Sequence, residues 1–234
     1  MRRALILAAF LAAGAVRAFD ASPLLQYVTA GSTWTPASLN PVAWYRGDGT
    51  ANDSGSNAYN GAWTGTNAYT AGVNGQAFYF DSISFLTLPT NINSTVYTLA
   101  VWIKPNSVAG GAVVGSADAN GYRSAVLLSA GAIAGIYNTG SGNSAKFTTE
   151  TISTNAWFHV AVSHSNASVM VYINGVYKSV GSATFLSTGT PNTAYIAKNP
   201  HVSANPYSGL ADDVLIFNRA LTQSEITQLY NWRP

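Results

Sequence analysis

Beyond residue 40, apolar and polar positions alternate with period two along most of the chain. That spacing places successive side chains on opposite faces of a strand. Tyr97, Leu99, Val101 and Ile103 fall on one face, and Thr98, Trp102 and Lys104, with Ala100, on the other. Val169, Val171 and Ile173 alternate with Met170 and Tyr172 and run into Asn174-Gly175. Both residues of that pair tolerate positive φ, so it predicts a tight hairpin into residues 176–180. Further strands are expected at residues 42–46, 76–80, 85–88, 125–129, 133–137, 157–164, 194–197 and 212–217. Many short strands separated by Gly, Asn and Ser predict an all-β sandwich or jelly roll of two antiparallel sheets.

One helix is predicted, at the end of the chain. Thr222-Gln223-Ser224-Glu225 has the form of a capping box, in which hydroxyl and carboxylate satisfy each other's amides. Leu221, Ile226, Leu229 and Tyr230 give the following turns an apolar stripe for a sheet.

The first eighteen residues follow another rule. Arg2 and Arg3 precede a thirteen-residue apolar run, residues 4–16, and then Val16-Arg17-Ala18. This is the layout of a secretory signal peptide, and the run is too short to span a bilayer. The alternative is a retained apolar arm that docks on an assembly partner. Residues 19–41 read as a linker with Pro23 and Pro36, leaving one domain over residues 42–234.

Composition narrows the chemistry. Apolar residues make up 47% of the 234, enough for a core, and charged residues only 9%, against about 25% in an average soluble domain. The formal charge is +2, but without Arg2, Arg3 and Arg17 eight basic residues face nine acidic ones. Nucleic-acid binding therefore has no electrostatic basis. The absence of cysteine excludes a disulfide framework, thiolate-zinc sites and a thiol nucleophile.

Five segments, taken in order, resemble a known family. They are VAWYRGDGTANDSGSNAYNGAWTG at residues 42–65, AFYFD at 77–81, YTLAVWIKP at 97–105, AWFHVAVSHSNASVMVYINGV at 156–176 and YSGLADDVLIFNRALTQSEITQLYN at 207–231. Together they resemble laminin G-like, concanavalin A-like jelly rolls. The resemblance implies a two-sheet antiparallel jelly-roll sandwich with a short C-terminal helix. It also implies a calcium site in many members, at positions matching Asp53, Asp212 and Asp213. Adjacent strand residues face opposite ways, so only one of Asp212 and Asp213 is expected to point at such a site, with Asp213 the better placed. The competing reading is that Asp53 caps a turn and that Asp212 and Asp213 bond neighbouring amides.

The family's fold hosts lectins, adhesion modules, hydrolases and capsid-type proteins alike, so function has to be argued from residues. Glycoside hydrolysis needs two carboxylates about 5–10 Å apart. None of the nine acidic residues falls into the Glu-x-Asp-x-(x-)Glu strand pattern of glucanases that share the fold. Glu225 is assigned to the helix cap and Glu150 to a Thr-rich turn. His159 and His164 lie at odd spacing in one strand and so on opposite faces, which suits packing better than catalysis. Aromatic residues remain as ligand platforms. Trp44, Trp102 and Trp157 are expected in the core, while Tyr59, Trp63, Tyr122 and Tyr137 are the candidate ligand-binding residues. The expected protein is a non-catalytic recognition or adhesion module for a glycan or surface receptor, extracellular or on a cell surface. The alternative is a structural display protein of a virion, a capsid decoration or fibre component held by residues 1–18. A glycan-cleaving enzyme ranks third.

Overall fold

The computed structural model describes residues 34–92, 94–138, 143–165, 168–182, 191–202 and 206–232, nearly all within one compact unit, Pro36–Pro234. The apolar leader, residues 1–18, and all but the last few linker residues lie outside the described residues.

A 3-10 turn, Pro36–Leu39, precedes fifteen strands: β1 (Ala43–Tyr45), β2 (Ala62–Thr64), β3 (Tyr69–Ala71), β4 (Gln76–Asp81), β5 (Phe85–Thr87), β6 (Tyr97–Pro105), β7 (Gly110–Asp118), β8 (Gly121–Ser129), β9 (Ala132–Asn138), β10 (Asn143–Thr151), β11 (Phe158–His164), β12 (Ser168–Ile173), β13 (Val176–Ser182), β14 (Thr193–Ile196) and β15 (Ser208–Phe217). Helix α1, Gln223–Asn231, closes the chain. The first sheet runs β13-β12-β11-β6-β15-β4-β3, with β1 also on β15; the second runs β10-β9-β8-β7-β14-β5-β2. The strands pair antiparallel throughout. This is the expected two-sheet jelly-roll sandwich.

The period-two pattern explains the core. Leu99, Val101 and Ile103 of β6, with Val169, Val171 and Ile173 of β12, meet Val126 and Leu128 of β8, Ile133 of β9 and Ile196 of β14 between the sheets. Each is at most 2% exposed, and full burial of such a side chain is worth about 1.5–3 kcal/mol. The Asn174-Gly175 hairpin forms with φ of 52° and 74°. His159 and His164 do face opposite ways. His164 enters the core with its ring stacked on Tyr97 (centroids 5.1 Å apart), and His159 lies edge-on to Trp102 on the other face.

Four strands escape the pattern. β2 and β3 have three residues each, and β7 is so rich in Gly, Ala and Ser that it reads as a turn. β10 contains the residues expected as a Thr-rich turn, so Glu150 lies in a strand, paired with Lys178 of β13. Trp157 is half-buried rather than core. Trp44 and Trp102 are buried, but outside the sandwich core, against Trp232 and Tyr230.

Helix α1 accounts for that burial. Its capping box is complete, with the Thr222 hydroxyl accepting from the Glu225 amide and the Thr222 amide donating to Glu225 Oε2 at 2.8 Å. Ile226 and Leu229 are buried, and Tyr230 stacks on Trp102. The centre of the outer face of the first sheet is thereby covered, while Tyr79 of β4 and Tyr177 of β13 stay exposed. Among the described residues no helix covers the outer face of the second.

Candidate functional site

The junction around Asp212 and Asp213 forms where β15 changes partner. Ser208–Ala211 pairs with β4 and Val214–Ile216 with β1 on the same side of β15, leaving a gap at the two aspartates. On the other side the register against β6 jumps from Asp212↔Trp102 to Leu215↔Ala100, a bulge that sets Asp213 at φ 47°. A bulge breaks the alternation of side chains, so the expectation that only one aspartate can point at a site does not hold. Both reach the β3–β4 turn. Asp212 Oδ2 accepts from the amides of Val73 (2.7 Å) and Asn74 (3.0 Å). Asp213 Oδ2 accepts from Asn74 Nδ2 (2.5 Å) and its Oδ1 from the Trp44 indole (2.8 Å). Two glycines let the turn approach: a Cβ on Gly72 would strike Asp212 Oδ2, and one on Gly75 would strike Asp48 Oδ1.

Asp212 and Asp213 are 0% and 3% exposed. Burial, followed by the charge of Asp213, pushes the Asp212 carboxyl up to about 8; burial raises Asp213 to about 6. Asp212 Oδ1 and Asn74 Oδ1 are buried without a hydrogen-bond partner. Two buried carboxylates and an amide oxygen, two of whose oxygens are unsatisfied, are hard donors of the kind a calcium ion takes. Asp53 does not join them. Its Oδ1 accepts from the amides of Trp44 and Gly55 and its Oδ2 from that of Tyr59, so it organises the 53–59 loop. Among the described residues no group of three or more His, Cys, Asp or Glu side chains is placed to hold one ion.

The four aromatic candidates are scattered. Tyr137 is 5% exposed inside the core, its ring 5.8 Å from His164, and offers no face to a ligand. Trp63 donates its indole N–H to the Tyr69 hydroxyl (3.0 Å) and lies against Phe80. That contact links the edge strands β2 and β3 and closes one flank of the sandwich. Tyr59 is half-buried against the core, with its carbonyl accepting from the Tyr45 hydroxyl. Tyr122 alone belongs to the outer face of the second sheet, in a small cluster with Ala125 and Ile136 and beside His201.

The register lays one row across that face: Ala145, Ile136, Ala125, Gly115, Tyr195, Thr87 and Ala62. Most are small, and Tyr195 stands out. Its ring meets Phe85 edge-on (5.5 Å, 87°), and Lys198 Nζ lies 4.2 Å from the Phe85 ring centre and 4.6 Å from that of Tyr195. Both rings are half-buried and Thr87 is exposed. Sequence reasoning missed this group. The alternation around Ala194, Tyr195 and Ile196 carried the signal, but only the structure shows that this outer face is buried at Gly115, Ala125 and Ile136 and becomes accessible toward Tyr195 and Thr87.

The carboxylates complete the picture. Asp48 pairs with Arg46, Asp118 with Arg123, Glu150 with Lys178 and Glu225 with Arg219. Asp81 accepts from the amides of Ile83 and Ser84. With Asp53 on its loop and Asp212 and Asp213 buried, every described acidic side chain has a structural contact.

Known proteins share this architecture. The chain matches the laminin G-like family of the concanavalin A-like lectin/glucanases superfamily over residues 80–227, more than half its length. It is 28% identical over 148 residues to adhesion G-protein coupled receptor V1 of Danio rerio, a stretch that is 58% of this chain and 2% of the receptor. Domain 4 of AbnA, a GH43 extracellular arabinanase from Geobacillus stearothermophilus solved with arabinotriose, is 25% identical. It aligns over 82% of this chain and 98% of that one with a TM-score of 0.65. The binding domain of Paraclostridial Mosquitocidal Protein 1 aligns with a TM-score of 0.67 at 20% identity, over 82% of this chain and 52% of that one. The ligand binding domain of botulinum neurotoxin serotype D, solved with N-acetylneuraminic acid, aligns at 0.62 and 18%, over 82% and 50%. The latter two speak for the fold alone. By its sequence and its sandwich, the chain belongs to the laminin G-like branch of the concanavalin A-like lectin/glucanases superfamily.

Proposed function

We propose that the protein is a non-catalytic glycan-recognition module whose binding face is the β5–β14 end of the outer surface of the second sheet. The observation that carries this reading is the half-buried Phe85–Tyr195 pair with Lys198 over both rings and the exposed Thr87 beside them. Half-exposed rings supply the flat apolar surface that sugar C–H faces take, and the hydroxyl and ammonium supply polar contacts. The structural contacts of the eight described carboxylates support a binding role over hydrolysis: the one adjacent pair, Asp212 and Asp213, is buried beneath the β3–β4 turn rather than exposed to a substrate. The arabinanase domain, solved with an oligosaccharide, supports the ligand class. The signal-like leader supports an extracellular location.

A glycan array followed by calorimetry on the best ligand tests the reading. Tyr195→Ala is expected to weaken binding at least tenfold with an unchanged melting temperature. Absence of binding to any arrayed glycan, or release of reducing ends from a bound one, overturns it.

We propose further that calcium binds at the β15 junction through Asp212, Asn74 and Asp213, with Asp53 serving its loop instead. An ion there would neutralise the buried charge and tie β15 to the β3–β4 turn. Calcium is then expected to raise the melting temperature with concentration, more at pH 8 than at pH 5 because protons compete for the same oxygens. No shift at millimolar calcium at pH 8 removes the metal from the picture.

A further inference from the structure

A concavity lies between the 3-10 turn, the Asp53 loop and the residue after β15. It has a volume of about 410 Å³, within the usual range of about 300–1,000 Å³ for small-molecule sites. Three separate segments bring their polar side chains to it: Asn40 after the 3-10 turn, Ser54, Ser56 and Asn57 of the Asp53 loop, and Asn218 after β15. Pro41 and Val42 give it an apolar side.

Each wall is fixed by its own hydrogen bonds. Asp53 clamps its loop through the three amides named above, and the Ser54 amide donates to the Trp44 carbonyl at 2.8 Å. The Asn40 amide donates to the Ala37 carbonyl (3.0 Å), and Arg219 Nη2 donates to the Leu39 carbonyl (3.3 Å), pinning the 3-10 turn. Asn57 Nδ2 donates to the Val42 carbonyl (2.9 Å). A ligand would meet a preorganised surface, which lowers the ordering cost of binding.

The lining chemistry selects the ligand. Some Asn side chains in the fold are held by hydrogen bonds, as those of Asn74, Asn174 and Asn199 are. Asn40, Ser54, Ser56 and Asn218 are solvent-exposed and line one concavity, so their amides and hydroxyls are open to a ligand. Amides and hydroxyls donate and accept equally, as sugar hydroxyls do. Among the described residues no charged side chain lines the cavity, so a carboxylate or phosphate seated there would lack a counter-charge from them.

We infer that this cavity is a second binding site, for a neutral sugar residue, independent of the aromatic face because it shares no residue with it. The test is titration of the ¹⁵N-labelled full chain with arabinotriose and maltotriose, observed by amide and side-chain NH₂ shifts. Saturable shifts are expected at residues 54–57 and at the side chains of Asn40, Asn57 and Asn218. Ser56→Trp, which fills the cavity from an exposed position, should weaken these at least tenfold at an unchanged melting temperature. Tyr195→Ala should leave them intact, which separates this site from the aromatic face. Absence of shifts at these residues up to 20 mM of both sugars overturns the inference. So does indifference to Ser56→Trp, or a stronger response there to N-acetylneuraminic acid than to either neutral sugar.

Discussion

Asp212 shows how one residue acquires a property that its chemistry alone does not give. The bulge buries its carboxyl beside a second one, and burial with the Asp213 charge lifts it to about 8, against 3.8 for the free group. A raised carboxyl contributes stability that is complete below pH 3.8 and is lost as pH rises through about 8. In a calcium chelator the protein should therefore lose stability between pH 5 and pH 8. Asp212→Asn keeps an oxygen for the amides of Val73 and Asn74 and removes the charge. Urea melts of this variant should show a flatter pH dependence over that interval, and added calcium should no longer raise its melting temperature. A variant that still responds to calcium as the wild type does would place the ion elsewhere.

At the scale of elements, the C-terminal helix covers the centre of the first sheet's outer face, burying Trp102 and His159. Nine residues form a marginal helix in isolation; α1 persists because Ile226, Leu229 and Tyr230 pack on the first sheet and because its N-terminus is capped. Gln223 and Thr227 also reach the Gly175 carbonyl at the β12–β13 hairpin. The Arg219 hydrogen bond, with those from Thr222, holds the Glu225 carboxyl down at about 2. This lowered carboxyl contributes stability present above about pH 4.5 and lost as pH falls through about 2. Glu225→Ala should cost about 1 kcal/mol at pH 7, less as the pH approaches 2, by chemical denaturation. A cost unchanged from pH 7 to pH 2 would show that packing alone holds the helix. Capping box and apolar stripe were both legible in the sequence because they are local; that the helix covers Trp102 and His159 rather than the second sheet was not.

The two sheets meet as a whole around His164. Its ring lies between Tyr97 of the first sheet and Tyr137 of the second, fully buried, with Nδ1–H donating to the Thr95 carbonyl at 2.9 Å. Burial lowers its basicity, so its contribution is complete above pH 6.5 and falls away as the pH drops below that value. This trend runs opposite to that of Asp212. His164→Phe keeps an aromatic ring in the gap and should flatten the stability loss between pH 7 and pH 5; an unaltered slope there would assign that loss to other groups. What the sequence determined by itself is what depends on neighbours along the chain. The alternation of Leu99, Val101 and Ile103, the Asn174-Gly175 turn and the Thr222–Glu225 box each act over a few residues, and together they specify strands, hairpin, helix and sandwich. The tertiary structure alone decided what depends on distant partners. The exchange of β4 for β1 beside Asp212 and Asp213 turned both carboxylates to Asn74. The pairing of β5 with β14 set Phe85 and Tyr195 side by side at the accessible end of the second sheet, and closure of the flank tied Trp63 to Tyr69 instead. The physical reason is that side-chain alternation is set locally, whereas bulges, buried charge and the choice of covered face are set by contacts between residues as much as 180 positions apart.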